Sequence, residues 1–264
     1  MPKRLIKYIE GDSAVHRLDP RAKLLFILSL LFSLSISSNF LELLPLFVIS
    51  LLFYLNSHLP WSKTKPTWKL ILTIILVLST LNLLTLTILY SGARSVEEAA
   101  AKMFSIDIIS KSFLPIVKLL TLAVATVTFI FTTPPNLYAP ALGQMGVPYK
   151  LAYIVQLALR YIPEYIDDMG RTLEAQMARG YRPKGGRNPF TRILAVVPLV
   201  VPVTISATLS IYDIADAMEL RGFGEKKCHT WYRKLSMKTP DKTLTAASIA
   251  IAATYTLLFI LKTG

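Results

Sequence analysis

The residue types that usually carry out catalysis are few and scattered in this chain of 264 residues. His16, His58 and His229 are far apart, and no two of them have the spacing of a metal-binding helix motif such as His-Glu-x-x-His. The single cysteine, Cys228, allows neither an internal disulfide nor a multi-cysteine metal site. The sequence therefore predicts that the chain holds no metal ion.

Acidic pairs and one glycine-rich stretch are the remaining candidates for chemistry. Asp167-Asp168 and Asp213 with Asp216 have no nucleophile beside them, and such groups are typical of a solvated helix face. The stretch from Gly180 to Arg187 ends Gly-Gly-Arg, where a phosphate-binding loop requires Gly-Lys followed by Ser or Thr. We therefore predict that the chain is not an enzyme and binds no cofactor itself.

A short sequence that occurs twice is the most informative feature. Ala175 to Tyr181 reads Ala-Gln-Met-Ala-Arg-Gly-Tyr, and Ala217 to Phe223 reads Ala-Met-Glu-Leu-Arg-Gly-Phe. Each copy follows a helix-compatible stretch, so its glycine is predicted to take the left-handed conformation that closes a last helical turn. The guanidinium of the preceding arginine complements the helix dipole and suits a carboxylate on a partner protein. Two ordinary helix caps would have the same residues.

The elements that position these residues belong to a membrane protein. The chain is 53% hydrophobic and only 17% charged, which exceeds what a soluble core of this size needs. Leu24 to about Leu55 fits two short spans with a turn at Ser37-Ser38-Asn39. Three further spans are predicted at 70–90, 113–132 and 244–261.

Basic residues are distributed asymmetrically about these spans. Apart from Lys118 near the outer end of a span, only four basic residues fall on the predicted outer side, namely Arg94, Lys102, Lys111 and Lys262. Lys and Arg gather on the cytoplasmic side of membrane proteins, so this distribution predicts a cytoplasmic N-terminus. It also accounts for the net charge of +13 without nucleic acid.

The predicted organisation is an all-α polytopic membrane protein with about five transmembrane helices and a cytoplasmic helical coupling domain. The membrane domain covers 1–133, the coupling domain 134–242 and the last span 243–264. The apolar stretch from Ile193 to Ile211 has basic residues at both ends and carries Pro198 and Pro202. We therefore expect a buried or interfacial helix there rather than a span.

These features together resemble the transmembrane T component of energy-coupling factor (ECF) transporters, the EcfT/CbiQ family. The likeness covers nearly the whole chain and adds three short motifs to the two Arg-Gly endings. They are the N-terminal motif Leu18-Asp19-Pro20-Arg21-Ala22-Lys23-Leu24, the segment Ala158-Leu159-Arg160-Tyr161-Ile162-Pro163, and Gly146-Val147-Pro148.

The resemblance implies a multi-pass subunit of a prokaryotic plasma membrane. Two separate ABC-type ATPases would use ATP and Mg²⁺, and a separate S component in the bilayer would bind a vitamin or metal ion. The residues implied to dock on the ATPases are Ala178, Arg179 and Gly180 in the first ending, and Leu220, Arg221 and Gly222 in the second. Leu220 departs from the commoner Ala-Arg-Gly pattern but leaves the arginine in place.

Two further expectations concern mechanism. Coupling needs a two-state element, and Pro163, Pro198 and Pro202 are candidate hinges, although they could equally be fixed kinks. The alternative function is a conventional ABC importer permease with its own substrate path. That reading predicts polar or ionisable residues within the spans, which offer little beyond Glu42, Asn82 and scattered Ser and Thr.

Overall fold

The structure, a computed structural model, describes residues 8–91, 106–182, 189–225, 232 and 234–263. The regular secondary structure of these residues is entirely helical. The helices are α1 (Ala14–Arg17), α2 (Pro20–Ile36), α3 (Phe40–Leu55), α4 (Trp61–Ser91), α5 (Ile106–Thr132), α6 (Tyr138–Gln144), α7 (Tyr149–Ala178), α8 (Pro189–Leu220) and α9 (Thr239–Thr263), with a 3₁₀ turn at Pro135–Leu137.

Among the described residues, four helices are long and apolar enough to cross a membrane. They are Trp61–Leu86, Ser112–Thr132, Val196–Leu220 and Thr239–Lys262, and Phe40–Leu55 is a shorter apolar helix. Only 6% of the most apolar window of the first is buried within the chain. Such exposure of apolar side chains is what helices facing lipid require. The chain is an all-α polytopic membrane protein, as predicted.

The chain divides into two compact units. The larger contains the described residues of 7–134 and 235–264, and therefore α1 to α5 and α9. The smaller contains those of 135–234, and therefore α6, α7 and α8. This division concerns compactness and not the side of the membrane, so the predicted cytoplasmic domain of 134–242 stays a prediction.

The core of the larger unit joins α2, α3, α5 and α9. Apolar residues of α2 and α3 meet one another together with residues of α5 and α9, and the buried set includes Phe26, Leu30, Leu34, Leu43, Leu46, Phe53, Ala125 and Tyr255. Helix α4 packs on α5. These side chains pack closely against one another and hold the four helices together. The outer faces of the helices are left to contact lipid.

The turn between α2 and α3 lies where the sequence predicts it. Helix α2 ends at Ile36 and α3 begins at Phe40. The Glu42 carboxylate accepts hydrogen bonds from the Ser37 hydroxyl and the Ser38 backbone N–H, both at 3.1 Å. Lys262 of α9 lies 3.6 Å from the same carboxylate, and Lys118 of α5 donates to the Ser37 carbonyl at 2.6 Å. We call Ser37, Glu42, Lys118 and Lys262 the hairpin cluster.

The prolines of the smaller unit do not divide its helices. Helix α7 continues through Pro163, and α8 continues through Pro198 and Pro202. Helix α8 contains the stretch that we expected to be buried or interfacial. Only 11% of its most apolar window is buried within the chain, so the chain alone does not bury it. Its length and composition would also allow it to cross a membrane, and the interfacial placement stays a prediction.

Candidate docking sites and a buried polar cluster

Arg179 and Gly180 end α7 with the predicted left-handed cap. The φ angle of Gly180 is +88°, which favours glycine. The Gly180 N–H donates to the Met177 carbonyl at 3.0 Å, and the Tyr181 N–H donates to the Gln176 carbonyl at 2.9 Å. This pair of hydrogen bonds is a Schellman motif, which satisfies carbonyls that the last turn would leave unpaired. Arg179 therefore stands at a defined helix end.

The second ending has the same geometry. The φ angle of Gly222 is +70°. The Gly222 N–H donates to the Glu219 carbonyl at 2.8 Å, and the Phe223 N–H donates to the Met218 carbonyl at 3.0 Å. These bonds again form a Schellman motif, with Arg221 in the position that Arg179 has in the first. The sequence repeat is thus a repeat of backbone structure.

A third helix end shows that the cap itself does not need arginine. At the end of α6, Gly146 has a φ angle of +101°. Its N–H donates to the Gly143 carbonyl at 3.3 Å, and the Val147 N–H donates to the Leu142 carbonyl at 3.1 Å. The residue in the arginine position is Met145. The guanidinium groups of the two repeats are therefore not explained by the backbone geometry alone.

Both arginines are exposed and available to a partner. Within the part of the chain that the structure describes, neither guanidinium forms an ion pair or a side-chain hydrogen bond. Leu220, next to Arg221, is 89% exposed, and Ala178, next to Arg179, is also exposed. Each ending thus presents a charged fork beside an apolar side chain, which is a common composition for a protein–protein contact.

The two endings lie far apart within the smaller unit. The Phe223 ring packs on Tyr153 and Tyr149, with ring centroids 4.7 and 5.8 Å apart. These tyrosines are at the beginning of α7, whereas Arg179 follows its other end. The 30 residues of α7 correspond to roughly 40 Å of helix, so one ending cannot reach a small site occupied by the other.

A groove of about 750 Å³ runs between α7 and α8 in the same unit. Its walls include Ile154 and Leu157 of α7 and Ile211, Ile214 and Met218 of α8. No motif in the sequence predicts this groove. Its two walls are remote in sequence, so only their packing brings them together.

The N-terminal motif forms a buried polar arrangement in the larger unit. Asp19 precedes α2, and its carboxylate accepts a hydrogen bond from the Arg21 backbone N–H at 2.9 Å. The Arg21 guanidinium donates to both oxygens of the same carboxylate, at 3.2 Å from Nε and 3.0 Å from Nη2. Nη2 also donates to the Leu235 carbonyl at 2.8 Å. Pro20, in the first turn of α2, has the φ angle that a helix start needs.

Lys23 is the most buried charged residue of this motif, with 1% of its surface exposed. Its Nζ donates to the Thr132 carbonyl at 3.2 Å, to the Thr132 hydroxyl at 3.2 Å and to the Thr133 hydroxyl at 3.3 Å. Lys23 precedes the apolar run that begins at Leu24. Burial lowers the pKa of Lys23 to about 8, against the raising effects of the Asp241 and Asp19 carboxylates. The ammonium is therefore still mostly charged at pH 7 and has three protons to donate.

Asp241 completes this arrangement, and the motifs of the sequence did not predict its role. Its side chain accepts from the Asp19 N–H and the Lys238 N–H, both at 2.7 Å. One carboxylate therefore binds the backbone N–H groups that precede both α2 and α9. The acidic residue at the third position after Lys238 is a known helix-start signal, which could have indicated the local half of its role. We call Asp19, Arg21, Lys23 and Asp241 the N-terminal cluster.

Comparison with known proteins assigns the family. A family model described as cobalt transport protein, CbiQ, matches residues 11–230. The chain belongs to the CbiQ family. The match includes the N-terminal motif and both Arg-Gly endings, which lie in different units of the structure.

Several relatives are similar over nearly their whole length, and each is named energy-coupling factor transporter transmembrane protein EcfT. The protein of Listeria innocua is 32% identical, and that of Bacillus subtilis 30% identical, each with 97% of both chains covered. The protein of Leuconostoc gelidum is 28% identical over 97% of this chain and 96% of its own. The family assignment made from short motifs is confirmed.

The CbiQ family assignment leaves the roles of individual residues as predictions. The structure does not bring the two endings together, and it places the N-terminal motif in the other unit. The prolines lie within continuous helices, and their role as hinges stays a prediction. Across the described residues, no group of three or more His, Cys, Asp or Glu side chains is arranged to hold a metal ion.

Proposed function

We propose that this chain is the energy-coupling membrane subunit of an ATP-driven importer. Two ABC-type ATPase subunits dock at the Arg179 and Arg221 endings and hydrolyse ATP with Mg²⁺. A separate S component in the bilayer binds the transported vitamin or metal ion. The chain itself is not an enzyme, and it lies in the plasma membrane of a prokaryote with its N-terminus in the cytoplasm.

The observation that carries this proposal is that an arginine with no side-chain partner among the described residues occurs twice, each time at the same cap geometry. The third cap, at Gly146, has the same hydrogen bonds without an arginine. A guanidinium at an exposed helix end makes bidentate hydrogen bonds to a carboxylate, and its direction is restrained by the cap. Separation by roughly 40 Å along α7 suits two partner subunits better than one.

Mechanical coupling follows from this arrangement. Closure of the ATPases on ATP would displace the two helix ends, and α7 and α8 would carry that displacement along their length. The membrane helices would then reorient or release the S component. Only a partner with different affinities for the two states can drive such a change, and the ATPase pair supplies that difference through its nucleotide state.

The alternative function is a permease with its own substrate path. A cavity of about 350 Å³ between α4 and α5 has Ser79, Asn82 and Thr85 on one wall, and the Asn82 side-chain oxygen has no hydrogen-bond partner among the described residues. The opposite wall is Pro115, Ile116 and Leu119. One polar wall without an ionisable group is a poor substrate path.

The test is co-purification of the cognate ATPases with four proteins: wild type, Arg179→Glu, Arg221→Glu and the double variant. Charge reversal replaces attraction by repulsion at each site, costing on the order of a few kcal/mol where the contact is desolvated. We expect each single variant to weaken the complex and the double variant to abolish it.

Arg171→Glu is the matched control, because this arginine lies on the same helix and its side chain is 81% exposed. It should leave the complex intact. Equal retention of the ATPases by all variants, with transport intact, would show that the repeat is only a pair of caps. Uptake that continues without any S component would instead support the permease alternative.

A further inference from the structure

Among the residues that the structure describes, the chain leaves the larger unit at two points, and both are held by one group of side chains. The first exit follows Thr133, where Pro134 and Pro135 begin the connection to the smaller unit. The second is at Leu235, where the chain returns to the larger unit. These two exits are the chain connections between the units that the structure describes. Any displacement of the smaller unit must act on the larger unit at least through them.

Lys23 holds the first exit. Its ammonium makes three hydrogen bonds, and every acceptor belongs to Thr132 or Thr133, the last residues before the double proline. Both threonines are fully buried. Because proline has no N–H, the backbone beyond Thr133 cannot continue the hydrogen bonds of α5. The lysine therefore fixes the end of α5 where the helix can no longer fix itself.

Arg21 holds the second exit. One nitrogen of its guanidinium donates to the Leu235 carbonyl, and the same group is oriented by a two-point contact with Asp19. Asp241, six residues after Leu235, binds the Asp19 N–H and the Lys238 N–H. The returning chain is thus attached to the start of α2 at two places, its carbonyl at 235 and its carboxylate at 241.

We propose that the N-terminal cluster is a positioning device that couples the two chain exits to α2, so that displacement of the smaller unit is transmitted to the membrane helices. This inference rests on the proposed function, since it states how motion produced by ATPases would reach the bilayer. Asp19, Arg21, Lys23 and Asp241 act as positioning residues and contact no substrate.

The charge and burial of the cluster fit this role. Two carboxylates and two cations are confined together, and Asp19, Lys23 and Asp241 are almost completely buried. Loss of the contacts of any one of these four side chains would leave its buried partners unpaired, which is energetically costly. The four side chains are therefore held in a single arrangement. A rigid connection of this kind transmits displacement, whereas a flexible one would absorb it.

The alternative is that the cluster only stabilises the fold. The hairpin cluster provides a control, because it joins α2, α5 and α9 of the same unit and does not touch either exit. Lys118→Met removes a lysine that donates to a backbone carbonyl of the α2–α3 turn. Lys23→Met removes a lysine that donates to a backbone carbonyl at the first exit. The two variants remove the same kind of side chain at different places in the unit. Lys23 is fully buried and makes three hydrogen bonds, whereas Lys118 is half-buried and makes one, so exchange at the exits is measured as well as transport.

The experiment compares uptake with ATP hydrolysis for the full complex in proteoliposomes. For Lys23→Met we expect ATPases to remain bound and ATP hydrolysis to stay within about twofold of wild type, while uptake per ATP falls at least tenfold. Arg21→Lys, which keeps the charge but lacks the second arm needed to join Asp19 and Leu235, should show the same loss in milder form. Lys118→Met should keep the wild-type ratio of uptake to hydrolysis.

A wild-type ratio of uptake to ATP hydrolysis in both Lys23→Met and Arg21→Lys would overturn the proposal. An equal fall of this ratio in Lys118→Met would also overturn it. A second readout does not depend on the ATPases. Hydrogen exchange of the whole chain in lipid nanodiscs should accelerate at residues 136–138 in Lys23→Met and at 234–238 in Arg21→Lys. Unchanged exchange at both exits would also overturn the proposal, whereas failure of ATPases to bind the wild type would contradict only the proposed function.

Discussion

Two glycines, one within α7 and one just after it, allow the effect of the backbone φ angle to be tested separately from steric hindrance. A Cβ atom added at Gly170 or at Gly180 would meet nothing within 4 Å, but only Gly180 has a positive φ angle. Gly170 is in the middle of a helix, where alanine is favoured over glycine by about 1 kcal/mol. Gly180 needs the left-handed conformation, in which alanine is disfavoured by about 1 kcal/mol.

Gly180→Ala should therefore destabilise the chain, and Gly170→Ala should stabilise it, each by about 1 kcal/mol. Denaturant titration of the purified chain followed by far-ultraviolet circular dichroism would measure both. Gly180→Ala should also weaken ATPase binding, because a distorted cap redirects Arg179. Equal shifts of the same sign in the two variants would contradict the assigned cap.

For the site residues, the sequence predicted only those features that depend on neighbouring residues in the chain. The left-handed conformation of Gly180 and Gly222 is confirmed, because a Schellman cap depends on residues within six positions. The contacts of Lys23 and Asp241 did not follow from their neighbours. Each of these side chains binds a segment more than 100 residues away.

At the scale of the helix, Pro163 decides how stiff α7 is. It lies inside the continuous helix Tyr149–Ala178, has no N–H and leaves the Leu159 carbonyl without its usual helical donor. Pro163→Ala would restore this hydrogen bond and should stabilise the helix by about 1–3 kcal/mol. If α7 bends during coupling, the stiffer variant should bind ATPases normally and transport less substrate per ATP.

Uptake and hydrolysis in proteoliposomes measure this effect. Pro198→Ala and Pro202→Ala in α8 extend the comparison to the other candidate hinges. An unchanged transport ratio in all three variants would show that the prolines are fixed irregularities rather than hinges.

Helix positions followed from the sequence more closely than helix roles. The turn between α2 and α3 and the spans near 113–132 and 244–261 agree with the structure, because they depend on runs of apolar residues and on turn residues. For α8, composition alone allows both an interfacial and a spanning helix. Charge on both sides favours the first, and length favours the second.

At the scale of the whole molecule, the proposed function depends on which side of the membrane the chain reaches after α8. Cys228 is the only cysteine of the chain and follows this helix in sequence. Basic residues on both sides of α8 predict that Arg221 and Cys228 are cytoplasmic. A membrane-impermeant maleimide should therefore label native Cys228 in inside-out vesicles and not in intact spheroplasts.

A single cysteine placed in the α2–α3 turn provides the opposite control. Ser38 is exposed, and Ser38→Cys in a Cys228→Ser background should be labelled from the outside. Labelling of Cys228 from the outside would show that α8 crosses the bilayer. Arg179 and Arg221 would then face opposite sides, and the two could not dock on one pair of cytoplasmic ATPases.

The sequence by itself determined the helical class, most of the spans, the two glycine caps and the family. These properties depend on composition and on residues close together in the chain, where hydrophobicity and backbone preference act directly. Tertiary structure alone decided that Lys23 meets Thr132, that Arg21 meets Leu235 and that Asp19 meets Asp241. The last pair is separated by 222 positions. No local preference specifies which distant polar groups will share a buried space, because that choice follows from how the helices pack.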